Sequence, residues 1–146
     1  MKHLLLSLAL IISASLWGEI ELGLECNTQG TLNGTTWHRI DLKNKEVLWS
    51  GSDSKWDRET NKLTHNLEEE TLKITEITDK TITYKGKRRP YTIRKTYKIN
   101  RYSETDTITG RDLFRDEAMT CKSYSDQLLT KRRDLFFLQR ETQKKF

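Results

Sequence analysis

The sequence predicts a mainly β protein, an antiparallel meander forming a small barrel or sandwich, followed by a C-terminal amphipathic helix. Short runs of alternating apolar and polar residues recur from Thr35 to Arg111, separated by polar turns. The chain has a single proline, Pro90, and no Gly/Ser-rich linker. Leucine and phenylalanine fall at helical spacing only near the end, at Leu128, Leu129, Leu135 and Phe136.

The first eighteen residues stand apart. Lys2 and His3 precede an apolar run from Leu4 to Trp17 that contains the small residues Ser13, Ala14 and Ser15. A cationic start, a short apolar core and small residues before a polar chain form a secretory signal peptide, cut after Ser15 or Gly18. The run falls short of the roughly 20 residues that a spanning helix requires. Export to a periplasmic or extracellular space, a bacterial envelope above all, is the expectation, with no transmembrane segment in the mature chain. Residues 19–146 then form one domain, too short for two cores. Hydrophobic content is 34% and charged content 32%, with aromatic and β-branched residues spread throughout, which argues against disorder.

The strands can be placed in order. His38, Ile40 and Leu42 alternate with Trp37, Arg39 and Asp41, and Val47 and Trp49 follow the polar loop from Asp41 to Glu46. Gly51 to Ser54 reads as another polar loop. Leu72 and Ile74 alternate, and the phase slips by one before Ile77, as at a bulge. Ile82 and Tyr84 follow the turn Thr78-Asp79-Lys80. Tyr91 to Tyr102 is the clearest strand, with Tyr91, Ile93, Tyr97 and Ile99 on one face. Ile108 marks a further strand and Met119 to Lys122 the last. Asn33-Gly34 suits a tight hairpin, whose central residues need positive φ, and Lys85 to Pro90 is a polar loop. A helix over about 126–143 is capped by Ser125 or Asp126. Its docking stripe is Leu128, Leu129, Leu135 and Phe136, and Phe137 points outward toward Arg133, Arg140 and Lys144.

Cys26 and Cys121 are the only cysteines. In an oxidising compartment an even pair predicts a disulfide, with α-carbons about 4.4–6.8 Å apart.

Charge is divided unevenly. Residues 19–84 carry 13 acids and 8 bases, whereas residues 85–146 carry 8 acids and 17 bases. Lys85 to Arg101 holds no acid and includes Lys87, Arg88, Arg89, Arg94 and Lys98, interleaved with tyrosines. Such a run is either a solvated face or a surface for anions. For an exported protein the matching partners are anionic lipid, an acidic glycan or an acidic protein; nucleic acid is a poor target. Lys95 and Arg101 fall on the apolar phase of their strand, so each must be paired or line a cavity. Trp37, Trp49 and Tyr97, with Trp56, are candidates to line that same cavity.

Catalytic motifs are missing. His38 and His65 are isolated, without metal-ligand spacing. Asp53, Asp57 and Glu59 do not make a calcium loop, because Lys55 and Arg58 occupy ligand and glycine positions. Glu68-Glu69-Glu70 reads as a solvated turn or strand edge. No cofactor is implied. The sequence favours a small non-enzymatic binding protein with a basic face. A carrier of a small apolar ligand is the alternative, and an envelope hydrolase using His38 or His65 the third reading.

Overall fold

The computed structural model describes residues 23–28, 34–87 and 95–143. The expected signal peptide, Asn33 of the first turn, and Arg88, Arg89, Tyr91, Ile93 and Arg94 lie outside them. Eight strands run in chain order: β1 (Gly23–Thr28), β2 (Thr35–Asp41), β3 (Glu46–Asp57), β4 (Lys62–Ile77), β5 (Thr81–Lys85), β6 (Thr96–Asn100), β7 (Thr107–Asp112) and β8 (Glu117–Tyr124). One helix, α1 (Asp126–Gln143), follows. Each strand pairs antiparallel with the next, and β8 returns to β1, so the sheet is a closed barrel. The barrel branch of the expectation therefore holds.

The β8–β1 pairing closes the sheet, and the period-two pattern fills it. One side chain in two enters the lumen, where Leu24, Ile40, Val47, Leu72, Ile82, Ile99 and Ile108 form the core. The bulge anticipated before Ile77 lies between Ile74 and Glu76 and resets the phase of β4 against β5. Packing is close. A Cβ added at Gly110 would lie 2.6 Å from Ile99, and one at Gly51 would lie 2.4 Å from the Trp49 ring.

Cys26 and Cys121 are bonded and face each other in the β1–β8 register. The clasp thus joins the first strand to the last, directly before the helix. Its α-carbons are 4.0 Å apart, closer than the expected range. Directly opposed antiparallel residues already sit near this separation, so no chain needs to reach for the bond.

Three hairpins share one turn design. Asp41, Asp57 and Asp112 each end a strand, and their carboxylates accept backbone N–H bonds from Asn44, from Glu59, and from Phe114 and Arg115. Four residues after each aspartate, Lys45, Asn61 and Asp116 adopt φ of 55°, 54° and 55°. An Asx-type turn closed by a left-handed residue connects the strands without glycine.

Gly51 to Ser54 is not a loop. β3 continues through it, and its pairing with β4 runs out to Asp57↔Lys62. β2 leaves β3 after Ser50↔Trp37, and β5 leaves β4 after Lys85↔Lys73. The β3–β4 hairpin therefore projects past the barrel as a two-stranded ribbon. Both ribbon faces are solvated near its tip, so the apolar alternation that marks barrel strands is lost there.

The helix docks through half of the expected stripe, Leu129 and Phe136, and is rotated away from Leu128 and Leu135. Leu129, Arg133, Phe136 and Phe137 turn toward the barrel, while Leu128 and Leu135 are exposed. Phe136 and Phe137 pack on Trp37, with ring centroids at 5.0 and 5.8 Å. The aromatic surface offered by Trp37 sets the helix rotation, and Phe137 points inward. Asp126 at the helix start holds Arg39 through two 2.5 Å bonds. Arg132 reaches Glu25, and Arg133 reaches Glu69 and Ser50.

Candidate functional sites

The lumen has two polar clusters above its apolar floor. Deep inside, His38 Nε2 lies 2.7 Å from the Thr36 hydroxyl and Nδ1 lies 2.6 Å from the Tyr84 hydroxyl. The ring also meets Tyr97 edge-on at 4.9 Å. Complete burial drives the His38 pKa down to about 3, so the imidazole is neutral. Burial likewise raises the Tyr84 phenol well above its ordinary value, with Tyr97 adding to the effect.

Nearer the ribbon end, Lys95 Nζ lies 2.9 Å from Glu70 and 3.1 Å from Glu68, over the Trp49 ring at 4.5 Å from its centroid. Burial pulls the Lys95 pKa down, but the two carboxylates outweigh it and the net shift is upward. Lys95 is thus paired, which meets one of the two requirements for an inward charge. Glu68 and Glu70 are not a solvated turn. They occupy luminal positions in β4, opposite Gly51 and Trp49, while Glu69 faces outward to Arg133. The buried Tyr97 phenol is raised by desolvation and then by Asp112, its cross-strand partner. The Trp49 side chain bonds the Tyr97 hydroxyl and offsets part of that rise, and Glu117 Oε2 is buried at this end without a hydrogen-bond partner among the described residues.

The proposed cavity residues therefore separate. Trp49, Lys95 and Tyr97 do converge in the lumen. Trp37 does not: it lies on the outer face of β2, buried beneath the helix, and its indole donates to Glu25. Trp56 is exposed on the ribbon. Arg101 lies past β6 at the opposite end of the barrel, where it donates to the Thr78 carbonyl at 2.7 Å.

The outer surface is equally divided. The helix side, over β1–β4, carries acids that arginines engage: Glu25 on β1, Glu69 on β4 and Asp126 at the start of the helix. The outward residues of β5–β8 include no carboxylate. They are Thr81 and Lys85 on β5, Lys98 and Asn100 on β6, Thr107, Thr109 and Arg111 on β7, and Ala118, Thr120, Lys122 and Tyr124 on β8, while Thr83 and Thr96, of the same phase, are buried within the wall. Lys98 stands opposite both Thr83 and Arg111, and Asn100 donates to Thr109 at 2.6 Å. Arg111 is held by Asp116 in the turn. Of the predicted anion-binding residues, Lys98 sits in the centre of this wall and Lys87 is exposed just beyond β5. Sequence reasoning missed the threonines of β7 and β8, because only the three-dimensional closure sets them beside Lys98.

Among the described residues, no group of three or more His, Cys, Asp and Glu is placed to hold a metal ion. No helix among them is long and apolar enough to cross a membrane. No protein family, curated protein or solved structure matches this chain.

Proposed function

We propose that this is an exported, non-catalytic binding protein whose β5–β8 wall takes a polyanion, an acidic glycan being the chemistry it suits best. The carrying observation is the wall itself, with hydroxyl and amide side chains interspersed with Lys85, Lys98 and Lys122 and no acid among the outward residues of four adjacent strands. Carboxylates would repel a polyanion, whereas threonine and asparagine can bond sugar hydroxyls while lysines attract charge over a Debye length of about 8–10 Å. Export is supported by the cationic and apolar leader and by the Cys26–Cys121 bond. A hydrolytic role for His38 finds no support, since both ring nitrogens are bonded to hydroxyls and the ring is fully buried.

The test is retention on immobilised polygalacturonate at low salt. Wild type should bind and elute as salt rises, and Lys85→Glu/Lys98→Glu should bind about tenfold more weakly. Equal retention of the two proteins would overturn the assignment.

A further inference from the structure

Trp56 and Leu63 are a cross-strand pair on the outer face of the projecting ribbon, 59% and 42% exposed. Leu67, two steps along the same face, is also exposed. This face is continuous with the surface under the helix: Ser50 and Glu69, of the same phase, receive Arg133. The outward side of the helix lies on the same side of the molecule and presents Leu128, Lys131, Leu135 and Leu138 at helical spacing. Two separate elements thus expose large apolar groups in one direction, an arrangement that an isolated soluble domain avoids.

Charge selects the occupant. The described carboxylates beside the helix are tied to arginines, Glu25 to Arg132, Glu69 and Asp134 to Arg133, and Asp126 to Arg39. Lys131 on the helix and Arg58 and Lys62 at the ribbon tip leave the apolar groups flanked by cations. The tip also holds two acids, Asp57, engaged in its turn, and Glu59, exposed, which Lys55, Arg58 and Lys62 outnumber by one. Leucines and an exposed tryptophan bordered by cations match the headgroup and acyl boundary of a bilayer carrying negative lipids.

We infer that the side of the protein bearing the helix and the ribbon docks on an anionic lipid surface, with Trp56 and Leu63 entering the interface. This surface lies across the barrel from the β5–β8 wall, so the inference does not rest on the glycan reading.

The experiment measures partition onto vesicles of phosphatidylglycerol and phosphatidylcholine, and onto phosphatidylcholine alone. It uses the full chain and the chain from Glu19, which keeps every described strand and the helix. Wild type should partition onto the anionic vesicles, and Trp56→Ser/Leu63→Ser should reduce this at least about tenfold. Leu128→Ser/Leu135→Ser should also weaken it. Brominated lipid should quench a fluorescence component that Trp56→Phe lacks. Lys85→Glu/Lys98→Glu should leave partition unchanged, and Trp56→Ser/Leu63→Ser should leave polygalacturonate retention unchanged. Equal partition of wild type and Trp56→Ser/Leu63→Ser, or no quenching of Trp56, would overturn the inference. So would a solution dimer that Trp56→Ser/Leu63→Ser dissociates and that ignores vesicles.

Discussion

His38 and Tyr84, 46 positions apart, meet inside the barrel in a 2.6 Å hydrogen bond. The bond joins β2 to β5 across the lumen and supplies a partner for two polar groups that water cannot reach. With Thr36 on the other nitrogen both ring nitrogens have partners, and burial, which penalises the charged form, keeps the imidazole neutral.

Acid should therefore destabilise the fold before its carboxylates titrate. The His38 pKa falls from 6.5 unfolded to about 3 folded, so below pH 6.5 the unfolded chain binds the extra proton. Stability is fully present above pH 6.5 and declines as pH drops toward 3. Between pH 6.5 and 4.5 the loss should be about 2–3 kcal/mol. Asp41, Asp57 and Asp126, whose pKa values are lowered by hydrogen bonds, add their losses only as pH falls through and below 3.8. Denaturant melts at several pH values would show this slope in wild type and its absence in His38→Gln.

The cystine should resist reduction while the barrel is folded, since Cys26 and Cys121 are 0% and 1% exposed. Thiol counting on native protein in mild reductant should find no free thiol, and on unfolded protein should find two. Cys26→Ser/Cys121→Ser should lose about 2–4 kcal/mol, or roughly 6–16 °C in Tm.

Adjacent leucines give a sharp contrast on the helix. Leu129 is 1% exposed against the barrel and Leu128 is 46% exposed. Leu129→Ala should cost about 2–4 kcal/mol and Leu128→Ala within about 0.5 kcal/mol. Thermal melts decide this, and the opposite order would place the helix on the leucine stripe after all.

Lys95 tests the luminal ion pairs. Lys95→Met leaves Glu70 and Glu68 facing a partly buried space without their cation, and should cost roughly 1–3 kcal/mol. Adding Glu68→Gln and Glu70→Gln should recover most of that loss, as read by denaturant unfolding. A full loss in the triple variant would show that packing on Trp49, not charge, is what Lys95 supplies.

The barrel was legible wherever a strand faces the lumen on one side and water on the other. His38 and Ile40, Val47 and Trp49, Ile82 and Tyr84, and Tyr97 and Ile99 all kept that period. Alternation alone puts Trp37 on the outer face with Arg39; its burial comes from a helix about 100 residues later, which no local pattern announces. Glu68 and Glu70 looked solvated because their partner Lys95 follows 27 positions after Glu68. The turns at Lys45, Asn61 and Asp116 carry no glycine, so the usual signal of positive φ was missing. At the candidate wall, Lys98 was visible as part of an acid-free run, whereas Thr109 and Thr120 depend on strand closure to reach it.

The most direct measurement is an amide chemical-shift titration of the protein from Glu19 with a short polygalacturonate oligomer. Binding on the outer wall predicts salt-sensitive shifts at Lys85, Lys98 and Thr109 with Trp49, Lys95 and Tyr97 unmoved. Shifts confined to Trp49, Lys95 and Tyr97, or no shifts at all, would contradict it.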